Sequence, residues 1–141
     1  MNRVLYYFLV ALGAGLVLYL SWRSHPTMGQ VWFIPKPIAH WADQRENDTI
    51  RTAVPFVLLG LVVGGQLAWQ HQLQKHWLTA WGALVGLVVL AEAGQHFQAD
   101  RSFDVADIAW GAAGAAVGLG IIGALQLVYF LLRKMGNSFS S

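Results

Sequence analysis

Four apolar stretches alternate with short polar ones along the chain. The first is "VLYYFLVALGAGLVLYL", Val4 to Leu20, and the second "AVPFVLLGLVVGGQLAW", Ala53 to Trp69. The third, "WLTAWGALVGLVVLA", runs from Trp77 to Ala91, and the fourth from Val105 to Leu132, interrupted by Asp107 and Gln126. A helix needs about 20 largely apolar residues, roughly 17 to 25, to cross the hydrocarbon core of a bilayer. Stretches one, two and four meet that requirement directly. The third meets it if Glu92 to Phe97 continue the same helix, which predicts a glutamate inside the last turns of a membrane span. The expected fold is therefore an all-α integral membrane protein, a single domain over 1–141 with four transmembrane helices.

The connections refine this picture. Ser21 to Arg51 is the longest and contains "VWFIPKPIAHW", where Pro35 and Pro37 preclude a continuous helix. Pro37 suits the opening of a short helix with Ile38, Trp41 and Ala42 on one side, giving an interfacial or re-entrant segment in this first connection. Asn47, Asp48 and Thr49 suit the N-cap of the second span. "QHQLQKH" reads as a tight polar turn. Trp22, Trp69, Trp77 and Trp110 lie near the ends of the spans, as an aromatic belt requires. Arg3 gives the first stretch a positive start, but "SWRSH" after it has no small-x-small cleavage pattern, so it is read as an uncleaved helix and not a signal peptide.

Composition supports a membrane chain: 56% of the residues are apolar and 11% charged, against roughly 25% charged in soluble domains. The absence of cysteine excludes disulfides, thiolate nucleophiles and Cys-ligated metals. The nine Lys and Arg are scattered, which argues against a nucleic-acid surface. With the N-terminus inside, Arg3, Lys75, Arg133 and Lys134 fall on the inner side, and Arg23, Lys36, Arg45, Arg51 and Arg101 on the outer. That count does not separate the sides. Pairing of the outer bases with Asp43, Glu46 and Asp48 offsets it, and cytoplasmic termini are the expectation adopted.

Chemistry concentrates in "EAGQHFQADRSFDVAD", Glu92 to Asp107, between the third and fourth spans. At 100° per residue, Asp104, Asp107, Gly111, Gly114 and Gly118 fall within an arc of roughly 80°. Small residues let membrane helices approach closely, so this face should turn towards protein and carry both aspartates with it. Gly82 and Gly86 on the third span, and Gly60 and Gly64 on the second, are read as further packing pairs. Asp104 and Asp107 also suit the N-terminal turn of the fourth helix as caps. Glu92 and Gln95, three residues apart, sit with Arg101 and His96 in the same cluster. Ionisable groups at membrane depth are costly, and they pair with one another or serve a function. Two readings remain open and compatible: a Glu92–Arg101–Asp107 lock for the hairpin, or a polar pocket formed by Glu92, Gln95, Arg101, Asp104, Asp107 and His96. No metal-ligand spacing involves His40 or His96, and no metal or cofactor is expected.

The segment from Glu92 to Gly118 resembles the signature of the VanZ-like family of small bacterial membrane proteins. The fitting positions are Glu92, Gln95, Arg101, Asp104, Asp107, Gly114 and Gly118, with Gly111 where the family carries Asn. "NDTIRTAVPFVLLG" is similar to the start of the family's second helix. The resemblance implies four transmembrane helices, with the polar motifs gathered at the outer leaflet of the bacterial inner membrane, and a role in the cell envelope. Three function classes follow. The first is a protein binding or handling a lipid or lipid-linked glycan head group, with Arg101 as its bidentate anchor and Trp32, Phe33 and Trp41 covering a sugar or chain. The second is an accessory subunit of a larger membrane protein complex. The third, an enzyme, lacks a nucleophile motif, metal spacing or phosphate-binding glycine loop.

Overall fold

The computed structural model describes residues 2–23, 27–97 and 104–138. Among them there is no strand. The long helices are α1 (Arg3–Ser21), α3 (Asp48–Trp69), α4 (Gln74–Gln95) and α5 (Val105–Ser138), with a short α2 (Lys36–Ala42) in the first connection. Four of them are long and apolar enough to cross a membrane, over Arg3–Ser21, Ile50–Trp69, Gln74–Gln95 and Val105–Met135. The chain is an all-α, multi-pass membrane protein. With four spans, the ends of the described chain lie on one side, and the α1–α3 and α4–α5 connections on the other.

Local sequence explains where the helices begin and end. Asn2 Oδ1 accepts the Val4 N–H at 3.0 Å and caps α1. Pro37 occupies the first turn of α2, where its missing N–H costs nothing. Asn47 precedes α3 but makes no side-chain cap. Its amide instead donates to Trp41 O at 2.8 Å and Gln44 Oε1 at 3.1 Å, tying the end of α2 to the following turn. The Asp43 carboxylate accepts the N–H groups of Met28 and Gly29 at 2.7 and 2.9 Å, holding the Met28–Gln30 turn against α2. The α3–α4 connection is a Schellman turn: Gln72 N–H donates to Leu67 O and His71 N–H to Ala68 O. The residue in the left-handed position is His71, with φ of 50°, where glycine is usual. Helix α4 continues through Glu92 to Gln95, so the third span does include the glutamate.

The core forms around α3 and α5, which meet backbone to backbone. A Cβ on Gly60 would lie 2.7 Å from Ala115 O, and one on Gly118 would lie 2.9 Å from Gly60 Cα. Gly114 faces the Ala53 carbonyl in the same way, and Gly64 faces Ile122. Gly111 sits against Val88 of α4 and Phe56 of α3, where the three helices converge. Only glycine permits this approach, and in lipid, close packing is what drives helix association. Two indoles add cross-links: Trp81 Nε1 donates to Ala112 O on α5 at 3.0 Å, and Trp22 Nε1 to Ala91 O on α4 at 3.2 Å. Gln66 is 4% exposed, and its Oε1 has no hydrogen-bond partner among the described residues.

One packing expectation is corrected. A Cβ on Gly82 or Gly86 would meet no atom within 4 Å. Helix α4 turns Leu84, Val88, Ala91 and Gln95 inward. At 100° per residue, Gly82 and Gly86 each lie about 160° round the helix from Leu84. Their spacing places both on one face, but that face points out of the bundle.

Replacing Gly118 with Leu should destabilise the protein by about 1–3 kcal/mol or more through overpacking. Gly82→Ala and Gly86→Ala should be neutral or stabilising by up to about 1 kcal/mol through helix propensity. Thermal unfolding in detergent, followed by circular dichroism, checks the contrast. The same assay should find His71→Gly more stable by up to about 1 kcal/mol, since a left-handed conformation costs a non-glycine residue roughly 1–2 kcal/mol and glycine's extra unfolded-state entropy offsets part of the gain.

Candidate functional site

The last turn of α4 supplies the buried polar core of the site. Glu92 is 2% exposed and Gln95 7%. Gln95 Nε2 donates to Glu92 Oε1 at 2.9 Å, and the Asp104 N–H points at Glu92 Oε2 at 3.4 Å. Both carboxylate oxygens thus face donors, one from its own helix and one from the start of α5. A buried carboxylate needs such bonds to offset its lost hydration. Glu92 thereby links the two ends of the α4–α5 connection.

The two aspartates part company. Asp104 is exposed, and its Oδ1 accepts the Ala106 N–H at 2.8 Å as the cap of α5. Asp107, one turn further on, is half-buried and faces a cavity. The expectation that both turn inward holds for Asp107 alone. The reason is that Asp104 precedes the first helical residue, so the helical arc does not govern its side chain. His96 is exposed, with its ring edge-on to Phe97 at 6.2 Å between centroids. Arg101 lies outside the described residues, and so does its proposed part in a lock with Glu92 and Asp107. Among the described residues no group of three or more His, Asp or Glu is placed to hold a metal ion.

The cavity has a volume of about 420 Å³ and lies between α1 and α3, with α2 across one end. Leu9, Leu12 and Leu16 of α1 face Val54, Leu58 and Val62 of α3 across it. Phe56 and Val88, each 1% exposed, line its inner side, and Ile38 and Trp41 of α2 close over it. Arg51, Thr52, Glu92, Gln95 and Asp107 collect at the end beneath α2. The long wall is apolar and one end is polar. Behind this end the Trp22 indole rests on Gly94, where any side chain would collide with it, and donates to the carbonyl of the lining residue Ala91.

Arg51 is a site residue that sequence reasoning missed, and Gly94 is a packing position it missed. Arg51 counts there only among the bases of the first connection. In the structure it belongs to α3, half-buried, and its guanidinium donates to Ala42 O at 3.2 Å across to α2. The available signal is its position four residues before Pro55 at the margin of an apolar run, where a cation is expected to have a partner or a task. Of the three aromatics assigned a covering role, Trp41 lines the cavity. Trp32 is 93% exposed and stacks edge-on with Phe33.

No family model, curated protein or solved structure matches the chain.

Gly94→Ala should displace the Trp22 indole and weaken its bond to Ala91. The expected result is a loss of about 1 kcal/mol or more in thermal unfolding and a changed Trp22 emission, read in a background where the other tryptophans are replaced by Phe.

Proposed function

We propose that this chain is a VanZ-like protein of the bacterial cell envelope, seated in the cytoplasmic membrane with its termini inside, that binds or handles a lipid or lipid-linked glycan by its head group. The observation that carries this reading is the gathering of Arg51, Glu92, Gln95 and Asp107 at one end of a cavity whose remaining walls are apolar. An amphiphile presents the same division. Ligand sites are commonly apolar with a few convergent polar groups that set orientation. Asp107 can accept hydroxyl or amine hydrogen bonds and the planar Arg51 fork can donate to an anionic head, with Glu92, its oxygens held by Gln95 and the Asp104 N–H, as the buried charge behind them. Arg101, in the connection that joins Gln95 to Asp104, is the second candidate anchor.

Native mass spectrometry of protein extracted gently from its own membrane tests this. Wild type should carry an adduct of lipid mass, and Asp107→Asn and Arg101→Ala should each lose most of it while keeping the wild-type circular dichroism. An adduct undiminished in both folded variants would end the head-group reading.

A second reading, an accessory subunit of a larger membrane complex, is favoured by the outward-facing Gly82 and Gly86. They leave a notch of small residues on α4 that suits a partner helix. Under that reading, Gly82→Leu with Gly86→Leu releases co-purifying polypeptides and leaves any lipid adduct in place.

A further inference from the structure

We infer that the end of the bundle holding the α3–α4 turn and the far end of α5 is a docking surface for anionic phospholipid, whose phosphates meet Arg133 and Lys134, with Arg3 and Lys75 at the rim of the same end. It lies opposite the end where the cavity's polar groups collect and does not rest on the head-group reading above.

Charge selects the kind of lipid. Every Asp and Glu of the chain falls between Asp43 and Asp48 or between Glu92 and Asp107. Both stretches belong to the side of the α1–α3 and α4–α5 connections. The opposite side has no acidic side chain, and its four bases, Arg3, Lys75, Arg133 and Lys134, are all exposed. A count of bases alone does not separate the two sides, since the first carries the other five, but the seven acids do. An anionic leaflet is attracted to the acid-free side, where no carboxylate side chain competes for the bases, and gains little on the other.

Exposure selects lipid over a protein partner. Leu127 to Leu132 are six consecutive apolar residues, each between 49% and 65% exposed. At 100° per residue they surround the helix. A partner helix covers one face, whereas a bilayer covers all of them.

Height brings the bases to the phosphates. Gly118 against Gly60, and Ile122 against Gly64, put α5 residues level with α3 residues 58 positions earlier. Trp69, the last residue of α3, is therefore level with Leu127. Arg133 is six rises of 1.5 Å further on, about 9 Å. The head-group layer on one side of a bilayer is about 5–8 Å deep. With Trp69 at the hydrocarbon edge, as an aromatic belt places it, Arg133 and Lys134 stand at the outer limit of that layer. Helical side chains lean towards the helix N-terminus, here towards the bilayer, and long basic ones reach a head group while their stems stay on apolar surface.

The test places the full chain in nanodiscs of equal phosphatidylglycerol and phosphatidylcholine and weighs the lipids retained on the protein by native mass spectrometry. Wild type should retain phosphatidylglycerol in excess. Arg133→Gln with Lys134→Gln should lower that excess by about fivefold for each base removed, and raised salt should lower it as well. Both positions are exposed, so the fold is kept, with circular dichroism as the check. Arg23→Gln with Lys36→Gln, the same change of charge on the other side, should leave the excess unaltered. Equal retention of the two lipids by wild type would overturn the inference. So would an excess that survives loss of Arg133 and Lys134, or one that the Arg23 and Lys36 changes lower equally. An acidic polypeptide or nucleic acid that leaves the protein with the Arg133 and Lys134 changes, while the lipid ratio stays fixed, would put that partner in place of lipid.

Discussion

The close approach of α3 and α5 is the constraint on which the rest of the molecule depends. In a bilayer, apolar side chains gain nothing by leaving lipid for one another, so helices hold together by fit and by hydrogen bonds. Here fit comes from Gly60, Gly114 and Gly118, each pressed against the opposite backbone. The contact fixes the rotation of α5, and with it the direction of Asp107 on the turn before Gly111. It also sets where α4 can lie. Val88 packs into the space that Gly111 leaves open, which lowers the last turn of α4, with Glu92 and Gln95, onto the start of α5.

Helix α1 follows a different rule. It leans on the bundle along one side: Val17 lies in the core with Tyr6, Val10 and Leu18 packed against it, Gly13 meets Leu59, and Trp22 bonds to α4. Leu12, Leu16 and Leu58 lie exposed along the open side, and the cavity is the space between the two helices. A tight glycine pair and a loose leucine pair thus sit on two sides of α3. The first provides rigidity, and the second leaves room beside it.

Much of this was legible from the order of residues. The spans announced themselves by hydropathy, and the extension of the third through Glu92 followed from the length a bilayer demands. The Pro37 helix could be placed because proline tolerates few other positions in a helix. What remained hidden depends on rotation and on long-range contact. Gly82 and Gly86 have the same spacing as Gly60 and Gly64, and spacing identifies a shared face without saying what that face meets. Asp104 could be read either as a cap or as an inward group, and its place one residue ahead of the helix decided for the cap. Arg51 reads as a loop charge, because nothing in its immediate neighbours indicates that Glu92 and Asp107, 41 and 56 residues later, line the same space. Gly94 gave no signal at all, since its partner Trp22 lies at the far end of the first span.

Helix α5 has a consequence beyond the site. Its candidate span, Val105 to Met135, covers 31 residues, about 46 Å of helix against about 30 Å of hydrocarbon, with Arg133 and Lys134 near its far end. The N-terminal half is clamped to α3 as far as Ile122, so its tilt is not its own to choose. The surplus length must be met by the half beyond, whose Leu125, Tyr129, Phe130 and Leu132 are exposed within the chain. The protein therefore carries a built-in ruler. It sits at lowest cost where the bilayer is thick, and in a thinner one it must draw lipid up around the end of α5. Membrane thickness thereby becomes a factor in where the chain resides.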